Sequence, residues 1–163
     1  MAVFPIRTFG DPVLSLEAEV VDEVDDSIRR LVEDMWETMY EAPGVGLAAP
    51  QIGVPKAVVV FDAGDGPFAV INPTIVETSG EWEFDEGCLS VPDRFWSISR
   101  PGFARVRGLN ADGQPVEHAG DELLGRVLQH EVDHLSGILL LGRLSRRVRR
   151  QAMRDLREEA MGL

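Results

Sequence analysis

Between residues 27 and 40, Ile28, Leu31, Val32, Met35, Trp36, Met39 and Tyr40 recur at steps of three and four. That spacing places apolar side chains on one stripe of an amphipathic helix. Asp25, Asp26 or Ser27 can cap its start, and Pro43-Gly44 ends it. After a loop rich in Gly, Ala and Pro, residues 57–62, 68–71, 74–77 and 81–84 read as strands, punctuated by Gly64-Asp65-Gly66-Pro67 and Ser79-Gly80. Residues 95–99 and 104–109 continue the β pattern, and Asn110-Ala111-Asp112-Gly113 reads as a hairpin turn into 115–118. The helical period returns over 121–136, with Asp121 as a cap and Gly137 where helices often stop. Ser145 then caps a last helix to about Met161, with Leu144, Val148, Ala152, Leu156 and Ala160 on a narrow apolar stripe. Helices and strands come in blocks rather than in strict alternation, which predicts an α+β fold in one domain over residues 1–163.

Composition narrows the class. The 163 residues lack any apolar run near the roughly 18 that suggest a membrane span. The first residues show no charged segment followed by a long apolar stretch, so a cytoplasmic location is expected and no membrane partner. A net charge of -12 argues against a protein that wraps DNA over its whole surface. That charge is uneven: in residues 142–163 seven arginines face three acids, leaving +4 there and -16 elsewhere. Such a run is commonly a solvated helix face, and it is also a candidate contact for RNA phosphates. Only one cysteine is present, Cys88, which excludes an intramolecular disulfide.

The strongest chemical signal is His130-Glu131-Val132-Asp133-His134, an HExxH pattern inside the helix predicted over 121–136. Residues four apart lie on one helix face, so both imidazoles can converge on one divalent metal while Glu131 reaches a water and takes its proton. Leu123 and Val127 share that face. A catalytic site of this type needs a third protein ligand and an open position. Two sources stand open: Glu158 or Glu159 in the last helix, as in a metallopeptidase, or Cys88 in Glu86-Gly87-Cys88-Leu89-Ser90. The flanks of Cys88 look less like a strand interior than like a tight turn. A third feature, Gly44-Val45-Gly46-Leu47-Ala48-Ala49-Pro50-Gln51, fits a loose dinucleotide fingerprint. It follows a helix and is stopped by Pro50, which contradicts that reading; its glycines instead suit close approach of backbone to a ligand, with Gln51 presenting an amide.

Taken in order and spacing, residues 44–51, 86–90 and 129–135 resemble the three motifs of the peptide deformylases, and the likeness runs through nearly the whole chain. The shorter branch of that family, with a C-terminal helix, is the nearer match. The resemblance implies β-strands around a central metal-binding helix, with an N-terminal and a C-terminal helix. It implies Cys88, His130 and His134 as ligands of one divalent ion, Fe2+ in the cell with Zn2+ or Ni2+ as alternatives. It further implies Glu131 as the acid-base, the Gln51 amide and the Leu89 N-H on the oxyanion, and Val45, Gly46, Leu123 and Val127 around the substrate. The activity implied is release of formate from the N-formyl-methionine of new polypeptides. The basic C-terminal helix, through Arg146, Arg147, Arg149 and Arg150, is then a candidate ribosome contact. Rival expectations are a metallopeptidase that uses Glu158 or Glu159, and a catalytically silent ribosome-associated module.

Overall fold

The computed structural model describes residues 2–163. Helix α1, Asp26–Glu41, starts on Asp25, whose carboxylate accepts from the Ile28 N-H at 3.1 Å. Strands β1 (Gly46–Ala48), β2 (Val58–Phe61), β3 (Phe68–Ser79), β6 (Phe103–Leu109) and β7 (Pro115–Asp121) form a five-stranded antiparallel sheet in the order β1-β2-β3-β6-β7. Strands β4 (Trp82–Cys88) and β5 (Val91–Arg100) form a separate hairpin. Helix α2 spans Glu122–Leu135 and α3 spans Arg146–Ala160. The class is α+β, and no helix among the described residues is long and apolar enough to cross a membrane.

Four consecutive apolar residues make up β2 because both of its faces are covered. Val58 and Val60 pack with Ile28, Val32, Met35 and Met39 of α1, while Val59 and Phe61 pack with Val127, Leu128 and Leu135 of α2. The sheet therefore lies between the two helices. Close seating of α2 needs Gly125, where a Cβ would lie 2.6 Å from the Gly120 carbonyl oxygen and 2.9 Å from that of Gly102. The hairpin lies against the other side of α2, held by side chains described below.

Several expected boundaries shift. The runs expected at 68–71 and 74–77 are one strand, bent at Asn72, whose φ is 54° and whose amide bridges both backbone groups of Val21. Residues 44–53, expected as a loop, contain β1 and a 3-10 turn over Ala49–Ile52. Cys88 ends a strand seven residues long rather than sitting in an isolated turn. In α3 the expected stripe is incomplete: Ala152 is buried and Leu156 partly so, whereas Val148 is 42% exposed. A helix docked on a short hairpin has only a narrow strip to bury.

Candidate active site

Residues four apart on α2 bring the His130 and His134 Nε2 atoms to 3.2 Å from each other, and the Cys88 Sγ at the end of β4 lies 3.4 Å from the His134 Nε2. The three ligand-type atoms all lie within 4.8 Å of one another. Ligands at zinc-type bond lengths around a tetrahedral centre are about 3.3 Å apart for two nitrogens and about 3.6 Å for nitrogen and sulfur. The donor set therefore fits one divalent ion. Glu158 and Glu159 do not join it: the Glu159 carboxylate is 2.6 Å from Arg94, and Cys88 is the third donor present. The metallopeptidase alternative fails because the donor that stands beside the two histidines is Cys88 and not an acid of α3.

Glu86 orients the first histidine. Its Oε1 is 2.6 Å from the His130 Nδ1. The Arg100 guanidinium donates to both Glu86 oxygens at 2.9 and 3.0 Å, and to Asp133 at 2.8 Å. Burial alone raises the Glu86 carboxyl, yet hydrogen bonds from His130 and Arg100 outweigh it and bring it down to about 2. Ionised Glu86 keeps a proton on the His130 Nδ1; against burial, the hydrogen bond to Cys88, the charge of Glu131 and the Glu86 carboxylate hold His130 well above its ordinary value, and an ion bound here would take the place of the Nε2 proton that faces Cys88 and His134. His134 is held well below its ordinary value, first by burial and then by the charge on His130. His134 is thus neutral, and its Nε2 can offer a lone pair.

Two further groups surround the cluster. Glu131 is buried, and desolvation pushes its carboxyl up to about 7. Its Oε2 occupies the space above Gly46 where a Cβ would have to sit. Gln51 is also buried; its Oε1 accepts from the Ala48 N-H at 2.9 Å, which turns the Nε2 toward the Ser90 Oγ at 3.1 Å and the Cys88 Sγ at 3.7 Å. The amide is thus locked with its donor end toward the sulfur.

These groups form the floor of a cleft of about 580 Å³. One wall carries Val45 and Gly46 of the β1 segment, the other Gly87, Cys88 and Leu89, and α2 contributes Leu123 and Val127. Val45 is 46% exposed and Leu123 38%, whereas Val127 is buried. The structure brings together every expected site residue except the arginines of α3, which lie elsewhere. Among those, Arg149 is turned inward and donates to the carbonyls of Leu141, Gly142 and Leu144 at 2.9 to 3.1 Å. It caps the preceding 3-10 turn and is not part of an open basic face. Arg146, Arg147 and Arg150, with Arg154, line that face.

Sequence reasoning missed Glu86 as a functional group, together with Arg100, Asp133, Arg126 and Ser90. Arg126 is buried over the rings of Trp82 and Phe84, at 5.2 and 5.8 Å, and donates to Glu86 and to the Ile98 and Trp82 carbonyls. A usable signal was Glu86 itself, an acid two residues before the motif cysteine in a segment that also needs to be buried.

Residues 3–150 match the family model described as polypeptide deformylase. A peptide deformylase of Alkaliphilus metalliredigens is 51% identical over 144 residues, 88% of this chain and 98% of the relative. One of Acidothermus cellulolyticus is 47% identical over 158 residues, 97% of this chain and 88% of the relative. The crystal structure of peptide deformylase from Ehrlichia chaffeensis in complex with actinonin superimposes with a TM-score of 0.93 at 41% identity, covering 98% of both chains. With the family model spanning most of its length and relatives this similar, the chain belongs to the peptide deformylase family of hydrolases.

Proposed function

We propose that residues 1–163 act as one catalytic unit that removes the N-formyl group from the initiator methionine of new polypeptides and releases formate. The observation that carries this reading is the convergence of Cys88, His130, the Glu131 carboxyl and the Gln51 amide at the floor of one cleft, with His134 buried just beneath it beside His130 and Cys88. Cys88, His130 and His134 would hold the ion; a thiolate with two imidazoles suits Fe2+, the ion proposed in the cell, and also Zn2+ or Ni2+. Such an ion would polarise a carbonyl oxygen and bring the pKa of a water down toward neutrality.

The protein's own groups do the rest. Glu131, with a carboxyl near 7, accepts the proton of the attacking water and delivers it to the departing amine. The water oxygen bonds to the formyl carbon, the carbon-nitrogen bond breaks, and formate and a free amine result. Negative charge that grows on the formyl oxygen meets the Gln51 Nε2 and the Leu89 N-H. One such donor is worth about 3 kcal/mol of barrier. Gly46 leaves room for Glu131 beside the backbone of β1, the edge strand of the sheet. Val45, Leu123 and Val127 offer an apolar slot for the methionine side chain; two of them stay partly exposed at the cleft, which suits a binding wall better than a core.

The second part of the reading concerns α3. Arg146, Arg147 and Arg150 present guanidinium groups without ion-pair partners among the described residues, beside a strongly acidic body, so ribosomal RNA contacting the protein here would meet one face and be repelled by the others. The deciding experiment for the activity is formate release from a short formyl-Met peptide by anaerobic, iron-loaded protein. Metal-bound protein that releases none overturns the assignment.

A further inference from the structure

Strand β5 does not run straight past the site. Gly87 pairs with Phe95, but the next residue, Cys88, pairs with Val91. Pro92, Asp93 and Arg94 are therefore extruded from the ladder as a bulge, with Asp93 at φ 63°, a conformation that residues other than glycine seldom adopt. All three line the cleft, as does Phe95. The Phe95 ring rests against Gly87, where a Cβ would lie 2.5 Å from it, yet the residue remains 70% exposed. A phenylalanine this exposed, at the mouth of a cleft and pinned on one side, is a surface waiting for an apolar neighbour.

The bulge is held from behind. The Arg94 Nη2 is 2.6 Å from the Glu159 Oε2 in the last turn of α3, and Trp96 and Ile98 pack with Ala152 and Leu156 of the same helix. The ion pair consumes the one cation of the bulge and leaves the ring as its free feature.

We propose that Phe95 is a specificity-determining residue, a platform for apolar side chains of the substrate residues that follow formyl-methionine, and that Glu159 is a positioning residue that holds this lip through Arg94. The proposal rests on the deformylase reading of the same cleft. Gly87 adjoins Cys88, and the Phe95 partner across the hairpin lies about 5 Å from it. An extended peptide advances about 3.3 Å per residue. With the formyl group at Cys88, the second and third residues of the chain pass the ring.

The test compares kcat/KM for formate release from formyl-Met-Leu-Leu and formyl-Met-Gly-Gly, with iron-loaded full-length protein under anaerobic conditions. The wild type is expected to favour the leucyl peptide about 10-fold. In Phe95→Ala that preference falls to near unity, while Phe95→Leu keeps most of it. Glu159→Gln lowers it about 3-fold, and the double swap Arg94→Glu with Glu159→Arg restores it. A preference unchanged in Phe95→Ala, or equal losses on both peptides, overturns the platform; a preference unchanged in Glu159→Gln removes the positioning role. Wild-type protein that releases formate from neither peptide overturns the deformylase reading instead, and the lip's role with it.

Discussion

The Glu86 carboxylate and the His130 Nδ1 stand 2.6 Å apart in a buried environment, so a single acid sets both the tautomer and the aim of one proposed metal ligand. Partners of this kind change metal affinity by 10- to 100-fold when removed. Glu86→Gln is expected to weaken metal binding by about that factor, read by competition with a chromogenic chelator. Affinity equal to wild type would show that His130 needs no such partner.

Glu86 also makes folding sensitive to acid. Its folded value of about 2 lies below the ordinary 4.5, so the unfolded chain binds the proton more readily. The stabilisation is fully present above pH 4.5 and is lost as pH falls toward 2. Its size is about 3 kcal/mol. Urea unfolding at pH 5 and pH 3 should show this loss, and Glu86→Gln should flatten it; parallel curves for the two proteins refute the attribution.

Cys88→Ser is expected to abolish stoichiometric metal binding and formate release together, because it removes one of three donors. Glu158→Gln should retain the metal, since Glu158 is not among the three converging donors. Elemental analysis of purified proteins decides between them, and metal retained by the serine variant would reopen the question of the third ligand.

Gly46→Ala sets a methyl group too close to the Glu131 Oε2, and 3.0 Å from the Val127 Cγ1, for either to stay where it is. Displacing a proton-transfer group by about 1 Å can cost 100-fold in rate. We expect a loss of that order in kcat with little change in the unfolding transition. A kcat within 3-fold of wild type would mean that Glu131 is not required in its present position.

The arginines of α3 separate into two kinds. Replacing Arg146, Arg147 and Arg150 by Glu should weaken co-sedimentation with ribosomes and flatten its salt dependence while leaving thermal stability nearly unchanged. Arg149→Ala should do the reverse, lowering stability by about 1 to 3 kcal/mol through three uncapped carbonyls. Ribosome binding indifferent to the triple reversal sinks the RNA contact.

Much of this was readable from the chain alone, for physical reasons. The stripe of α1 and the unbroken β2 report burial directly, on one face and on two. Cys88, Gln51, His130 and His134 lay in short contiguous motifs. Arg100 and Asp133 were not readable, because a buried ion pair 33 residues apart looks in sequence like two surface charges. The bulge at Pro92, Asp93 and Arg94 hides for another reason: extra residues in a ladder are defined by what they face across the hairpin, and only the pairing of Cys88 with Val91 reveals them. Arg149 was misplaced because a charge run carries no mark of which member turns inward.

The β4–β5 hairpin shares no ladder with the five-stranded sheet. What joins it to α2 is a set of buried charges, Glu86 and Arg100 from the hairpin with Arg126 and Asp133 from the helix. The proposed ion would span the same seam, with its sulfur donor on one side and its two nitrogen donors on the other. Loading the centre would thus also be an act of assembly: an ion held by all three donors would fasten two separately built pieces of the fold.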